Sequence, residues 1–223
     1  DAAPPEVATL TLTSDGVVTL APAEGVALEV NGSPAAPGVL TTDAVGKPDI
    51  LTLERLRFYL IDRDGAIAVR VKDPKAPTLV SFDGLEWYDP NPDLRIEAAF
   101  EPYDEPKQIS IPTVLGTESM SPSPGLLRFS IDGVEHTLEP VAESVNDSLF
   151  VIFRDATNAD TTYGAGRFLT TPPPTDGTVV LDFNYAYNPP CAYTPYATCP
   201  LPPPSNWLDV PIEAGEKYSG DAH

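Results

Sequence analysis

In the last third of the chain, arginines, carboxylates and amides gather where strands should end. Arg154-Asp155 closes the most apolar run of the sequence, Leu149-Phe150-Val151-Ile152-Phe153. Tyr163-Gly164-Ala165-Gly166-Arg167 follows, and Asp182 and Asn184 end a further stretch that begins at Thr178. If these strand ends are neighbours, Arg154, Asp155, Arg167, Asp182 and Asn184 converge. Two arginines in such a cluster suit bidentate capture of a carboxylate or phosphate. Tyr163, Asn184, Tyr187 and Asn188 would then orient a small anionic ligand. Two charges of each sign more readily form a buried ion-pair network that fixes the loop, because charges are rarely buried unless paired. In a catalytic reading Asp155 or Asp182 is the acid or base, which requires a carboxyl of raised pKa in a water-poor cleft. Gly164 and Gly166 permit close approach of a ligand or of another strand. No Gly-Lys-Ser/Thr follows them, so they are not a phosphate loop.

The elements that would position this cluster lie on either side of one stretch, Asp182 to Asn206. It holds both cysteines, four of the nine tyrosines and seven of the 27 prolines. Proline fixes φ and removes an N–H, which excludes a regular helix or an inner strand here. Phe183, Tyr185, Tyr187, Tyr193, Tyr196 and Trp207 distinguish it from a disordered linker, which is poor in aromatics. An ordered loop with its rings packed on a core is expected, tied down by Asn184, Asn188 and Asn206. Cys191 and Cys199 suit either a disulfide or two buried thiols. Their spacing does not fit paired zinc ligands.

Histidine supplies little. His136 sits in an alternating strand and His223 is terminal. A Cys191–His136 site would need the two within hydrogen-bond reach, and nothing in the sequence places them together. Asp182, Glu213 and Glu216 could offer oxygen to a hard cation, yet no metal motif is present. No cofactor motif is present either.

Net charge is −20, with 13 Lys and Arg against 33 Asp and Glu. Phosphate backbones and anionic membranes need clustered cations, so neither nucleic acid nor a membrane is an expected partner. Oligomeric state is left open. The acidity suits solubility, or adaptation to high salt, where charges are screened. No apolar run approaches the length of a membrane-spanning helix. The chain opens on Asp1 and shows no signal peptide, which implies processing or an excised segment. Reduced thiols would suit the cytoplasm and a bridge would suit secretion.

Turn chemistry gives the fold class. Asp-Gly steps at Asp15-Gly16, Asp64-Gly65 and Asp132-Gly133 separate alternating runs, the strongest short hairpin signal. Asn31-Gly32, Asp83-Gly84 and Asp176-Gly177 mark further turns. No segment has convincing helical periodicity; the one helix considered lies near Asp49 to Leu56. Strands are predicted through both halves, including Thr78 to Phe82, Arg95 to Tyr103, Gln108 to Val114 and a closing edge strand from Trp207 to Glu213. Leu149 to Phe153, apolar on both faces, is predicted to be a central, doubly covered strand. The expectation is an all-β protein, an antiparallel sandwich or barrel-like fold in two β parts. Residues 1–74 form the first part, 75–218 the second, and 219–223 a tail.

Three segments carry a family resemblance: FDGLEWYDPNPDLRIEAAFEPYDEP from Phe82, LFVIFRDATNADTTYGAGRFL from Leu149, and DFNYAYNPPCAYTPYATCPLPPPSNWLDVPIEAGEKY from Asp182. From about Arg55 to Tyr218 the chain resembles a prokaryotic family known as domain of unknown function 1684. It departs from that pattern at Tyr185, where a basic residue is expected, and at Trp207. The resemblance implies a fold unit and no reaction. Residues 1–62 resemble part of a forkhead-associated β-sandwich, which implies that the chain begins inside a domain and transfers no phosphopeptide binding. A non-catalytic module for a small anion, or a scaffold, is the preferred expectation. The catalytic reading and a purely structural polar network are the alternatives.

Overall fold

The computed structural model describes residues 2–63, 65–218 and 220. His223, Asp64 of the Asp64-Gly65 turn, and all of the 219–223 tail except Gly220 lie outside the described residues. The chain divides into two compact units, Asp1–Phe82 and Asp83–His223.

The first unit places two antiparallel sheets on one core. One sheet has β1 (Ala8–Leu12), β2 (Val18–Pro22) and, after two strands of the other sheet, β5 (Gly38–Leu40). The second sheet is ordered β4 (Ser33–Pro34), β3 (Glu29–Val30), β6 (Leu51–Leu53), β7 (Leu56–Arg63), β8 (Ala66–Lys72). Val18, Leu20 and Leu40 from one sheet meet Leu51, Leu53 and Leu60 from the other. Asn31 and Gly32 adopt φ of 53° and 79°, the left-handed pair that a two-residue hairpin requires between β3 and β4. Two expectations are corrected. Asp49 to Leu56 is not helical; its alternation of buried Leu51 and Leu53 with Thr52 makes β6. Thr78 to Phe82 is not a strand but includes most of one helical turn, α1 (Pro77–Val80), with Pro77 in its first turn and the Ser81 hydroxyl on the Pro77 carbonyl.

The second unit is built on a four-stranded antiparallel sheet ordered β11 (Val134–Leu138), β10 (Glu118–Ile131), β9 (Arg95–Pro112), β14 (Thr178–Asp182). The two strands expected at Arg95 to Tyr103 and Gln108 to Val114 are one strand, β9. The interruption between them survives as a shift of the β9–β10 register between Ser123 and Gly125. Gly125 is required there, since an added Cβ would fall 2.5 Å from the Glu101 carbonyl oxygen. Asp132 and Gly133, φ 51° and 79°, close the β10–β11 hairpin. Asp83-Gly84 forms no turn and lies in irregular chain.

β12 (Leu149–Phe153) pairs with β13 (Arg167–Thr171) in a separate two-stranded ladder, so it is not a central strand. Its apolar character has another cause. Leu149, Val151 and Phe153 point into the main core with Leu127, Leu138 and Leu181, while Ile152 and Phe150 join a smaller cluster with Ile111 and Phe168. Both faces are covered by irregular chain as much as by sheet.

The closing edge strand expected from Trp207 to Glu213 does not form. Asn206 and Leu208 instead take single backbone bonds with Arg154. Pro211 has no N–H to give a ladder, and the Ile212 and Ala214 carbonyls turn toward Arg167. No helix among the described residues is long and apolar enough to cross a membrane.

Candidate functional site

After β14 the chain runs without regular strands to Tyr218, broken by three short turns at Phe183–Tyr185, Pro190–Ala192 and Pro204–Asn206. It is nonetheless anchored along its length. Phe168 and Tyr187 exchange both backbone bonds, at 2.8 and 2.9 Å. Leu201 donates to Pro112, Leu208 to Arg154, Ala156 to Val210, and Glu216 to Ala186. Phe183 is fully buried in the main core. Gly166, at φ 102°, lets Pro202 approach: a Cβ there would sit 2.5 Å from the proline ring and 2.6 Å from the Phe153 carbonyl oxygen. The close partners of this glycine are therefore the strap itself and β12. Not every ring packs inward as expected. Tyr185, Tyr196 and Trp207 are 71%, 86% and 54% exposed. Tyr185 belongs to a turn whose inner side is taken by Phe183, and Trp207 spends its indole N–H on the Pro202 carbonyl at 3.1 Å.

Beneath the strap lies a buried polar cluster. β13 opens with Arg167, and neither it nor Asp155 exposes any side-chain surface. One terminal nitrogen of Arg167 donates to Asp155 Oδ2 at 2.8 Å and to the Ile212 carbonyl at 2.8 Å. The other donates to the Ala214 carbonyl. The guanidinium carbon sits 5.4 Å from the Phe153 ring centroid. Asp155 is saturated from the other side: its Oδ1 accepts from the Thr157 amide and hydroxyl, at 2.9 and 2.6 Å, and from the Ile212 amide at 3.1 Å.

The Phe168–Tyr187 bridge sets Arg167 across from Asn188, and both meet Glu216. Glu216 accepts from the Asn188 amide and side chain, each at 3.1 Å, and from the Tyr193 hydroxyl. Asn188 also donates to the Lys217 carbonyl at 2.9 Å. Burial pushes the Glu216 carboxyl above the usual glutamate range, partly opposed by Asn188 and by the Arg167 charge. Two buried atoms of this cluster, Arg167 Nε and Asn188 Oδ1, have no hydrogen-bond partner among the described residues.

The remaining site residues fall elsewhere. Arg154 is exposed, its guanidinium 5.3 Å from the Trp207 ring centroid. Asp182 faces Arg95 across the β9–β14 ladder, with an ion pair at 3.5 Å. Asp182 caps the adjoining turn by accepting from the Asn184 amide and side chain, and Asn184 clasps the backbone of Asn91 in both directions, at 2.7 and 2.9 Å. Asp182 and Asn184 make these bonds and none to Arg167 or Asp155. Tyr187 packs edge-on against Phe168, and the Tyr163 hydroxyl donates to the Cys191 carbonyl at 3.3 Å. Cys191 and Cys199 are free thiols, the Cys191 amide donating to the Cys199 sulfur at 3.2 Å. Burial pushes the Cys199 thiol up to about 12. Of the carboxylates considered for a hard cation, Asp182 and Glu216 have the partners given above, and no cluster of three metal-ligating residues occurs among the described residues. His136 lies on β11 against Phe129.

The sequence offered Tyr193 only as a packing ring and Glu216 only as an oxygen donor to a cation, and their meeting at Asn188 was not foreseen. Glu216 stood in a short charged Glu-Ala-Gly-Glu-Lys run that reads as a surface turn. The usable signal is Gly215, whose φ of 78° and missing Cβ bring the backbone against the Ala186 and Phe183 carbonyls and so bury the next residue.

No curated protein matches this chain. A solution NMR structure of an uncharacterized protein from Haloarcula marismortui is similar: identity is 35%, the TM-score is 0.53, and the match covers 65% of this chain and 82% of that one. Residues 80–217 match the family described as protein of unknown function, DUF1684, a narrower span than the resemblance drawn from Arg55. Since that span takes in both arms of the polar cluster and the strap over them, the chain belongs to the DUF1684 family.

Proposed function

We propose that the second unit is a non-catalytic scaffold whose buried polar cluster fastens the proline-rich strap, leaving Arg154 and Trp207 on the outer face as the place for a small anionic ligand. The observation that carries this reading is the complete burial of Arg167 with both terminal nitrogens committed to Asp155, Ile212 and Ala214. A cation so occupied has no second fork to offer a ligand. Arg154 is different: its guanidinium is exposed and lies over an indole, 5.3 Å from the ring centroid, an arrangement suited to a carboxylate or phosphate carried on a flat group.

The test compares Arg167→Ala with Arg154→Ala. Arg167→Ala should destabilise the fold, while Arg154→Ala should leave the unfolding midpoint unchanged. Benzoate and inorganic phosphate, titrated while the Trp207 indole N–H signal is followed by NMR, should shift it in the parent and not in Arg154→Ala. An Arg167→Ala protein that folds normally and loses the anion response would overturn the scaffold reading.

An acid–base centre is the second reading. Asp155 and Asp182 are held in ion pairs with Arg167 and Arg95, whereas Glu216 is buried, pushed above the usual glutamate range by that burial, and accepts from a tyrosine hydroxyl.

A further inference from the structure

Six of the 13 basic residues of this strongly acidic chain fall between Arg55 and Lys75, in the first unit. The β7–β8 register sorts them. Arg57 stands opposite Lys72, and Tyr59 opposite Arg70. Cross-strand partners share a face, as do alternate residues along one strand. Arg57, Tyr59, Arg70 and Lys72 therefore form a tetrad, about 5 Å across the ladder and about 7 Å along it. Arg57 and Lys72 are exposed, and Arg70 and Tyr59 are half-buried. The Lys72 ammonium lies 5.3 Å from the Tyr59 ring centroid.

Arg55 and Arg63, in the same stretch of chain, are neutralised. Arg55 pairs with Asp73 and Arg63 with Asp43, at 2.8 and 2.9 Å. No ion pair of Arg57, Arg70 or Lys72 occurs among the described residues. Arg57 gives one nitrogen to the Glu54 and Leu56 carbonyls. Asp43 is close enough to Arg70 to feel its charge but bonds to Arg63. Glu29 lies in the same cross-strand row as Arg57, two strands away. A like-charge pair directly opposite, as Arg57 and Lys72 are, costs stability.

β8 is also the last strand of its sheet, with one edge unpaired by any named strand. On its other face Val69 and Val71 remain 47% and 54% exposed. An extended segment laid along this edge would find backbone partners from β8, cations on one face and valines on the other. Only a polypeptide meets all three. The cationic area spans two or three charges, too small for the long phosphate track of a nucleic acid, which a net charge of −20 also opposes.

We propose that the free edge of β8 docks a short extended protein segment in which acidic and apolar residues alternate. Its carboxylates pair with Arg57, Arg70 and Lys72, and its apolar side chains cover Val69 and Val71.

The test uses the full chain and a fluorescent alternating Glu-Val hexapeptide, read by anisotropy at low ionic strength. The peptide should bind, and raising salt to about 0.5 M should weaken it. Replacing Arg57, Arg70 and Lys72 together by serine should weaken it roughly tenfold with the unfolding midpoint kept. If the triple variant fails to fold, Lys72→Glu alone, at the exposed end of β8, should weaken binding in the same direction. Equal binding by parent and variant, or no binding, overturns the proposal. So does an oligonucleotide of equal charge that binds more tightly than the peptide. Self-association through these cations without peptide binding overturns it too, in favour of a second copy as the occupant.

Discussion

Replacing Asp155 by asparagine changes the buried cluster with almost no change of shape. An amide oxygen can keep the three bonds that Oδ1 accepts from Thr157 and Ile212. The new –NH2 group then faces the Arg167 terminal nitrogen, donor against donor, where a carboxylate oxygen stood at 2.8 Å. The guanidinium keeps its carbonyl partners but loses its counter-charge, in a site where neither side chain reaches solvent. Removing one partner of a buried ion pair costs about 3–5 kcal/mol. A domain is held by about 5–15 kcal/mol, so Asp155→Asn should sit close to the limit of folding. At the size of this unit the loss corresponds to a fall of roughly 10–15 °C in the unfolding midpoint. Both tryptophans, Trp87 and Trp207, belong to the second unit, so indole fluorescence during urea denaturation follows that unit alone. An unchanged urea m value would show that the same surface unfolds. A variant within about 1 kcal/mol of the parent would refute the reasoning, because the pair would then be worth no more than an exposed one.

Two further outcomes follow from titratable groups, most of them in the strap. Glu216 is held above the usual glutamate range by burial, so the folded chain keeps its proton at pH values where the unfolded chain has lost it. Its contribution is full below the ordinary glutamate range and is lost as pH rises through the raised value. Glu101, held low by the Arg128 guanidinium, acts in the opposite sense and loses its contribution as pH falls. Urea unfolding of the parent and of Glu216→Gln between about pH 4 and about pH 8 separates the two, since only the Glu216 part disappears in the variant. The stability difference, parent minus variant, should shrink as pH rises; parallel curves would remove the buried carboxyl from the account. Thiol alkylation followed by peptide mapping should modify half-buried Cys191 first. Cys199, 3% exposed and with its thiol pushed up to about 12, should react only when denaturant lifts the strap. Equal native rates at the two cysteines would mean that the strap is not docked.

Much of the fold could be read because turns and strands are local. Asp132-Gly133 needs two left-handed residues in a row, and few side chains besides Asn, Asp and Gly accept that geometry, so the hairpin is written in two letters. The apolar run of β12 was equally visible, but its cause was not. Burial on two faces is what periodicity reports. Whether a strand or an irregular segment supplies the cover depends on contacts with Trp207 and the strap, which are distant in sequence. The missing edge strand at Trp207 to Glu213 shows the same limit: Pro211 was there to be seen, but the turning of the Ile212 and Ala214 carbonyls onto Arg167 depends on a side chain 45 residues earlier.

The candidate residues were selected by chemical type, and the structure sorts them by what they hold. The strap keeps every backbone carbonyl but lacks an N–H at each proline, so acceptors outnumber donors along it. Water cannot correct that imbalance where the strap is buried, and an unsatisfied carbonyl there costs free energy. Side-chain donors, from the strap itself and from the strands beneath it, must therefore make up the difference. Arg167 serves Ile212 and Ala214, Asn188 serves Lys217, Trp207 serves Pro202, and Tyr163 serves Cys191. Arginine is the strongest such group, with five N–H donors and no acceptor of its own, and its charge needs Asp155 before it can be buried. Donor supply to a proline-rich segment thus explains why a cation, its counter-ion and three amide or aromatic donors cluster against one irregular stretch. It also leaves Arg154, the other strand-end arginine, with no carbonyl served by its side chain among the described residues, so that its exposure needs another reason.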